Sequence, residues 1–369
     1  MNITAAVLES TGEDFSISEI VADEELFPNE VLVRIVATGL CHTDISARDK
    51  VIPFRTPAIL GHEGAGIVEK VGSTVTEFQP GDSVVLAPAS CGKCAYCQSG
   101  HPSYCVDLFA LNFAGRRKDG SCPYHDEHGR EVSGLFYGQS SFATYSITTE
   151  NNLVKVDPDI QLEILGPLGC GLQTGAGTVL NVLKPIAGDS LVVFGVGAVG
   201  LAAIMAANAS GCSTIIAVDV HRNRLHMAEQ LGATHTIDSS LVQVAAYIKD
   251  HILPAGLDFA VDTTGRNEVI NQAVSSLRPL GRCALVGMTS APQLIIDNDA
   301  LFSGKSVQYV LEGDSVPRNF IPRLIRLYQD GLFPFDKMLK FYELSEINQA
   351  ILDSESGETL KAIIRMPHG

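Results

Sequence analysis

The chain has two parts that differ in their pattern of hydrophobic and polar residues. From Asn2 to about Asp157, short runs alternate apolar and polar residues between glycines and prolines, as in EVLVRIVATG and GAGIVEKVGSTVTEFQPGDSVVLAP. Alternation with a period of two is typical of half-buried antiparallel strands. The first part of the chain is therefore predicted to form a rolled antiparallel sheet.

Fully apolar runs replace the alternating ones from about Asp189. LVVFGVG, TIIAVD, LDFAVDTTG and GRCALVGM are separated by segments with a helical period, such as HRNRLHMAEQLGA. Strands that are apolar on both faces and alternate with helices are typical of a parallel sheet covered by helices. The predicted fold class is α/β, with a rolled β domain and a doubly wound parallel-sheet domain.

The last part of the chain combines a helical pattern with a strand-like one. VPRNFIPRLIRLYQDG has a helical period, and the following segment ends in the apolar, strand-like run of LKAIIRM. We expect this tail to return to the first domain. The predicted division is 1–171 for the rolled β domain, 172–312 for the nucleotide-binding domain and 313–369 for the return.

Composition and charge limit the kinds of molecule that this protein is expected to bind. The chain has 369 residues, a formal net charge of -16 and a pI near 5.0. So acidic a surface repels a phosphate backbone, and nucleic acid is not an expected partner. The one basic cluster, Arg116 to Lys118, is expected on a solvated loop without a function. No signal peptide or long apolar run is recognisable, so we predict a cytoplasmic protein without a membrane partner.

A glycine motif indicates dinucleotide binding. Gly195, Gly197 and Gly200 follow an apolar strand and open a helix, and the next strand ends at Asp219. The first glycine permits a tight turn, the second a close approach of pyrophosphate, and the third close helix packing. The helix N-terminus then presents N–H groups to the phosphates.

The acidic residue after the second strand bears on the choice of cofactor. Asp219 can accept hydrogen bonds from an adenosine ribose and repels a 2′-phosphate, so NAD is preferred over NADP. Arg222 and Arg224 follow closely and leave NADP as an alternative. Arg224 is accordingly a candidate cofactor residue.

Four cysteines stand within the fifteen residues of CGKCAYCQSGHPSYC. Cys91, Cys94, Cys97 and Cys105 can satisfy the tetrahedral preference of zinc with no position left open, which is typical of a structural site. The alternatives are free buried thiols or disulfides. In a reducing compartment, clustered thiols more often hold metal than pair with one another.

Three further residues are possible metal ligands. Cys41 lies in GLCHTD, His62 in GHEG and Cys170 in GCGLQTG. One histidine and two cysteines leave a fourth position open for water or substrate, as in catalytic zinc sites. Their separation in the sequence alone does not group them.

The order of these motifs resembles the zinc-dependent medium-chain alcohol dehydrogenase family. GLCHTD, GHEGAGIVEKVG, PGDSVV, the four-cysteine segment, GCGLQTG, GVGAVG and SGETLK follow one another over nearly the whole chain. The family resemblance implies a GroES-like rolled β catalytic domain, a Rossmann-type cofactor domain and two zinc ions per subunit, one catalytic and one structural. It also implies an enzyme, an oxidoreductase acting on alcohols.

The resemblance also assigns candidate roles. Cys41, His62 and Cys170 would ligate the catalytic zinc, with Glu63 beside them as an alternative ligand or a carboxylate behind the ligands. Asp44 would orient His62. The four clustered cysteines would hold the structural zinc. His42 and Lys361 would be basic groups at the cofactor pyrophosphate. Thr174 would supply a hydroxyl near the nicotinamide.

The proton path implied by the resemblance begins at Thr43, whose hydroxyl would take the proton of the alcohol. Many family members have a histidine five residues after the first zinc-binding cysteine, whereas this chain has Ser46. Proton release would therefore use Ser46, water or another group. Ala87 stands where better-known members often carry a bulky aromatic residue, which leaves more room for substrate.

The substrate expected from this resemblance is a bulky primary alcohol, aromatic or allylic, as in the aryl and benzyl alcohol dehydrogenase branch. The alternative is a family member that reduces an aldehyde, imine or activated alkene in a biosynthetic pathway. A more remote alternative is a non-catalytic zinc protein that recognises a partner. Family relatives are dimers or tetramers, and the long segment after Cys105 favours a homodimer.

Overall fold

The computed structural model describes residues 1–289 and 291–367. Contacts divide the chain into two compact units. The first unit comprises Met1–Cys170, Val316–Pro322 and Leu339–Gly369, and the second comprises Gly171–Ser315 and Arg323–Met338.

The division by contacts differs from the predicted return of residues 313–369 to the first domain at residues 313–315 and 323–338. Residues 323–338 lie with the second unit. Phe333 and Phe335 of this segment have no exposed surface, and the ring centroids of Tyr328 and Phe335 are 4.8 Å apart.

The first unit contains two sheets in which most neighbouring strands are antiparallel. One has the strand order β4-β1-β2-β7, and the other has the order β16-β17-β3-β5-β6-β9 with β8 also paired to β3. The strands are β1 (Asn2–Leu8), β2 (Ser16–Ala22), β3 (Glu30–Gly39), β4 (Ala58–Ile59), β5 (Gly64–Val71), β6 (Ser83–Leu86), β7 (Tyr124–His125), β8 (Tyr145–Thr149), β9 (Leu153–Lys155), β16 (Leu339–Glu343) and β17 (Lys361–Arg365).

Strand β3 is buried more fully than its alternating sequence predicts. It pairs with β5, β8 and β17, so it lies inside the sheet, and most of its polar as well as apolar residues are buried. The helices associated with this unit are short apart from the last, and they are α1 (His42–Arg48), α2 (Ala95–Gln98), α3 (Leu108–Asn112) and α11 (Ile347–Ser356).

The second unit is built on six parallel strands in the order β12-β11-β10-β13-β14-β15. The strands are β10 (Ser190–Phe194), β11 (Thr214–Asp219), β12 (His235–Asp238), β13 (Leu257–Asp262), β14 (Leu277–Leu285) and β15 (Ser306–Tyr309). The helices are α4 (Gly171–Gly177), α5 (Ala198–Ala209), α6 (Arg222–Gln230), α7 (Val244–His251), α8 (Asn267–Ser275) and α9 (Asn298–Leu301). Helix α10 (Pro317–Gln329) follows, with residues in both units.

The strand order reverses at β10, because the chain adds β11 and β12 on one side before it adds β13, β14 and β15 on the other. Ligands of open parallel sheets bind at the carboxyl ends of the strands where the order reverses. The glycine motif follows β10 directly, so it lies at that point. These features confirm the predicted α/β class with a rolled β domain and a doubly wound parallel sheet.

The basic cluster lies on a loop, as predicted, and Lys118 is exposed, but Arg117 is buried, contrary to the prediction. Arg117 is 8% exposed, and it donates to both carboxylate oxygens of Glu30 at 2.7 and 3.0 Å and to Asp23 at 2.5 Å. Its guanidinium also lies 4.3 Å from the centroid of the Phe27 ring. Buried arginine is retained because its donors are paired.

No helix among residues 1–289 and 291–367 is long and apolar enough to cross a bilayer.

Candidate active site

The structure brings Cys41, His62, Glu63 and Cys170 together within the first unit. Their potential ligand atoms all lie within 4.8 Å of one another. Cys41 caps α1 immediately after β3, and His62 and Glu63 occupy the link between β4 and β5. Residues separated by more than a hundred positions thus form one cluster, as the family resemblance implied.

Asp44 organises this cluster from the first turn of α1. Its Oδ1 lies 2.8 Å from His62 Nδ1 and accepts a hydrogen bond from Gly61 N at 3.1 Å. Its Oδ2 accepts from Cys41 N at 2.9 Å. A carboxylate that only accepts requires His62 to donate from Nδ1, so the Nε2 lone pair faces the cluster.

The residues of the cluster fit a metal cation. His62 Nε2 is buried and has no hydrogen-bond partner among the described residues. Burial favours the neutral imidazole, but the charges of Asp44 and Cys41 outweigh burial and raise the pKa of His62 well above its usual range. The same negative field favours a metal ion at Nε2, and the donor set of two thiols and one imidazole suits zinc.

The thiol of Cys41 is disposed to ionise. A hydrogen bond from Cys170 lowers its pKa well below the usual range, burial opposes this shift, and the charges of His62 and Lys361 add to it. A thiolate is the form of cysteine that binds metal.

Lys361 lies at this cluster and not on the surface. Its Nζ is 2.5 Å from Glu63 Oε2 and donates to the carbonyl of Leu40 at 3.0 Å, and the residue is 3% exposed. Burial opposes its charge, but Glu63 and Cys41 raise the pKa of Lys361. Its predicted place at the cofactor pyrophosphate therefore remains a prediction, and the contact that the structure shows is with Glu63.

The other residues predicted around α1 share its first turns. His42 is exposed and Thr43 is half-buried, directly after Cys41. Ser46 is 7% exposed, on the buried side of the same helix. The proposed proton path through Thr43 and Ser46 thus starts beside Cys41, and its end at solvent remains a prediction.

A segment that sequence reasoning missed, residues 135–142, clamps the loop that carries His62. Gln139 donates from Nε2 to the carbonyl of His62 at 2.9 Å and accepts from Gly64 N at 3.1 Å. Ser141 N and Phe142 N bond the carbonyls of the residues just before His62, at 2.9 and 3.0 Å. The signal available in the sequence was the polar run QSS between aromatic residues, which is unusual for a buried segment.

Aromatic rings from the same segment pack against His62. The Tyr137 ring stacks on the imidazole at 4.5 Å, and the Phe136 ring meets it edge-on at 5.6 Å. Phe54 and Phe113 extend this aromatic cluster, with ring centroids 5.0 Å from Phe136 and 5.1 Å from Tyr137, respectively. Tyr137 has a φ of 53°, a left-handed conformation that is unfavourable for a bulky residue.

The four clustered cysteines form a second group of potential metal ligands, with thiol sulfurs within 4.8 Å of one another. The backbone N–H groups of Cys91 and Cys94 each point at a sulfur, at 3.3 Å. Backbone hydrogen bonds from Cys97 and Val106 lower the pKa of Cys94 to about 6. All nine cysteines of the chain are free thiols, so the disulfide alternative is not what the structure shows.

The glycine motif in the second unit has the features of a dinucleotide loop. Gly195 has a φ of 83°, and a side chain at Gly200 would meet the Gly195 carbonyl at 2.0 Å. Gly197 caps α5, and an added Cβ there would meet no atom of the described residues within 4 Å. The turn is thus closed on the helix side and open where a pyrophosphate would approach.

Asp219 is tied to this loop. Its Oδ2 accepts from Val196 N at 2.8 Å, and its Oδ1 accepts from the N–H groups of the two residues after it at 2.8 and 2.9 Å. Arg224 lies 3.7 Å from Asp219 Oδ2, and its buried Nε has no hydrogen-bond partner within the described part of the chain. The two residues predicted to bind cofactor therefore lie together beside the glycine loop.

Two family models match the chain. The alcohol dehydrogenase GroES-like domain matches residues 27–158, and the zinc-binding dehydrogenase matches residues 198–330. The geraniol dehydrogenase of Castellaniella defragrans is 40% identical over 363 residues, which are 98% of this chain and 96% of that protein.

Solved structures also match the entire chain, and two of them share nearly half of its residues. These two are an alcohol dehydrogenase zinc-binding domain protein from Burkholderia ambifaria and the benzyl alcohol dehydrogenase of Acinetobacter calcoaceticus. Each is 47% identical and covers 100% of both chains, and the TM-scores are 0.97 and 0.95. The similarity therefore extends over the whole length and is not confined to the glycine or cysteine motifs.

Proposed function

This chain belongs to the family of zinc-binding alcohol dehydrogenases, and we propose that it oxidises bulky primary alcohols, aromatic or allylic, reversibly to aldehydes with NAD. Membership confirms the resemblance on which the sequence expectations rested. The proposal rests above all on the cluster of Cys41, His62, Glu63 and Cys170, whose ligand atoms lie within 4.8 Å of one another.

Cys41, His62 and Cys170 are proposed to hold a catalytic zinc, with Glu63 beside them. Zinc, when bound, supplies a Lewis acid that polarises an alcohol oxygen and lowers its pKa. Asp44 holds His62 in the tautomer that presents Nε2. The four cysteines of the second group are proposed to hold a structural zinc, because a set of four thiols leaves no position open for substrate.

The protein supplies the path for the proton that an alcohol loses. Thr43 follows Cys41 on α1, so its hydroxyl is the proposed first acceptor. Ser46 lies one turn further along the same helix and is the proposed next group, with water completing the path. No histidine follows at that position, so the relay has to use hydroxyl groups and water.

The aromatic cluster supports a planar, conjugated substrate. Four rings, those of Phe54, Phe113, Phe136 and Tyr137, lie around His62 or one another at centroid distances of 4.5 to 6.0 Å. Aromatic rings pack favourably with other rings and with conjugated double bonds. The names of two relatives, a geraniol dehydrogenase and a benzyl alcohol dehydrogenase, agree with an allylic or benzylic alcohol.

NAD is the proposed cofactor and NADP the less favoured one. The Asp219 carboxylate lies at the end of β11 beside the glycine loop, where it would repel a 2′-phosphate. Arg224 is placed to offset part of that repulsion. We therefore expect a preference for NAD and not an absolute exclusion of NADP.

We also propose that the protein is a homodimer located in the cytoplasm. Strand β15 is an edge of the parallel sheet as described, and Phe302 and Tyr309 around it are 88% and 46% exposed. An open edge with apolar side chains favours pairing with a second copy. The free state of all nine thiols agrees with a reducing compartment.

The decisive experiment is NADH formation by purified, zinc-assayed protein across benzylic, allylic and straight-chain alcohols, with NADP in parallel. Rapid turnover of benzylic or allylic alcohols with NAD supports the proposal. Absence of turnover with any alcohol, in protein that contains zinc and is thermally stabilised by NAD, would instead favour a reductase of a biosynthetic intermediate.

A further inference from the structure

A strained turn follows the edge strand of the second unit. Glu312, Gly313 and Asp314 have φ angles of 47°, 63° and 45°, so three consecutive residues adopt the left-handed conformation. Glutamate and aspartate pay an energetic penalty there that glycine does not. A strained run of this kind persists only where surrounding contacts impose it.

Helix α4 and Asn181, four residues beyond its end, contact this turn. Added side chains at Gly313 and Gly177 would each clash, because the two backbones meet at Gly313 O and Gly177 Cα. Asn181 Nδ2 donates to the Gly313 carbonyl at 3.1 Å, and Ser315 Oγ donates to Gln173 Oε1 at 2.8 Å. The turn is therefore held against the helix by both backbone packing and side-chain bonds.

The turn places a glutamate against Thr174. Thr174 Oγ1 donates to Glu312 Oε2 at 3.1 Å. A hydroxyl has one proton, and because it is donated to a carboxylate, Oγ1 offers only lone pairs to any other group. The negative charge of Glu312 thus reaches the surroundings of Thr174 through a polarised hydroxyl.

Two observations support a position of this pair beside the proposed cofactor site. Thr174 is followed by Gly175, which packs on the Val199 carbonyl in the first turn of the glycine-loop helix α5. The turn follows the carboxyl end of β15, which is joined to that of β14 by the bond from Val310 N to Leu285 O at 2.9 Å.

We propose that Glu312 is a positioning residue which, through Thr174, raises the affinity of the site for the oxidised cofactor relative to the reduced one. This inference rests on the proposed NAD-linked function. The nicotinamide ring is positively charged in NAD and neutral in NADH, so a nearby negative charge stabilises only the oxidised form. The consequence for the enzyme is a higher affinity for NAD relative to NADH than the site would have without this charge.

The test is equilibrium binding of NAD and of NADH to the zinc-loaded protein without substrate, by titration calorimetry. Glu312→Gln keeps the size and an acceptor for Thr174 but removes the charge. We expect its Kd for NAD to rise roughly three- to tenfold while its Kd for NADH stays the same or falls. Glu312→Asp, which keeps the charge, should retain most of the wild-type ratio of the two constants.

Two further variants separate the charge effect from a change in folding. Thr174→Val removes the hydroxyl at nearly constant volume, and it should move the ratio in the same direction and reduce the effect of Glu312→Gln in the double variant. Asp250→Asn removes a charge from the exposed end of α7 and should leave both constants unchanged. Thermal unfolding of each variant checks that it is folded.

The alternative outcomes are distinct. Equal weakening of NAD and NADH binding by Glu312→Gln, or no change in either, would overturn the inference while leaving the proposed function intact. Binding of neither nucleotide by wild-type protein would overturn the proposed function, and the inference with it.

Discussion

The imidazole of His62 and the carboxylate of Asp44 are joined at 2.8 Å, between side chains that both have no exposed surface. Asp44 also accepts the N–H groups of Cys41 and Gly61. One carboxylate therefore fixes the tautomer of one proposed metal ligand and the backbone of another. This relationship makes Asp44 the residue on which the geometry of the cluster depends.

Asp44→Asn should weaken metal binding at the first cluster by about 10- to 100-fold. An amide has one acceptor oxygen and cannot satisfy the three donors that the carboxylate satisfies now. Zinc affinity measured by competition with a chromophoric chelator, together with kcat, checks this. Asp49→Asn, on the exposed end of the same helix, is the matched control and should behave as wild type. Unchanged zinc affinity in Asp44→Asn would contradict the orienting role.

Cys41→Ala and His62→Ala should each abolish alcohol oxidation, because each removes a proposed ligand of the catalytic zinc. The fold and NAD binding should be largely retained, since the glycine loop belongs to the other unit. Zinc content should fall by one ion per chain. Cys212→Ala removes a buried thiol outside both metal groups and should keep both ions. A folded His62→Ala protein with normal turnover would refute the zinc assignment.

Cys94→Ser should affect stability more than chemistry. Its thiol belongs to the group of four, which has no open position for substrate, so loss of that zinc should lower the melting temperature or disturb assembly. Zinc content, differential scanning calorimetry and light scattering measure these effects. A variant with one zinc fewer that melts like the wild type would leave the structural role unsupported.

Tyr137→Leu should change substrate preference. The stacked ring lies 4.5 Å from His62, and aromatic pairs contribute about 0.5–1.5 kcal/mol beyond area burial. The kcat/KM for benzyl alcohol should therefore fall roughly two- to tenfold relative to that for a straight-chain alcohol. Tyr137→Phe keeps the ring and is the control. An equal loss for both classes of alcohol would show that the ring supports the fold and not the selection of substrate.

Glu30→Gln should destabilise the protein by about 3 kcal/mol, because it leaves the buried guanidinium of Arg117 without its main partner. Glu69→Gln breaks an exposed pair with Arg34 at 2.7 Å and should cost less than about 1 kcal/mol. Chemical unfolding followed by circular dichroism compares the two variants. Equal losses of stability would contradict the role assigned to the buried pair.

Much of the architecture could be predicted from local pattern. The run EVLVRIVATG coincides with β3, and TIIAVD coincides with β11. The glycine motif begins directly after β10 and ends in the first turn of α5 as expected, because its spacing encodes a strand, a tight turn and a helix within a few residues. The period of a strand and the residues of a turn are local properties, so they can be predicted directly from the sequence.

Other features could not be predicted from local sequence pattern. Local pattern predicts that Arg117 is solvated, and the family resemblance assigns Lys361 to the cofactor pyrophosphate. Neither indicates the buried contacts with Glu30 and Glu63, because those partners are distant in the chain. Tyr137 and Gln139 lie 75 or more positions after His62, and nothing in their own sequence points to it.

The sequence by itself determined the two hydrophobic patterns that predict the two kinds of sheet, the glycine loop and the four-cysteine segment. Through the order of its motifs, it also determined the family. Only the tertiary structure decided which side chains meet, including the clamp on His62, the ammonium of Lys361 beside Glu63 and the turn that places Glu312 on Thr174. The physical reason is that periodicity and turn residues act over a few positions, whereas a charge or an aromatic ring acts on whatever the fold brings within a few ångströms.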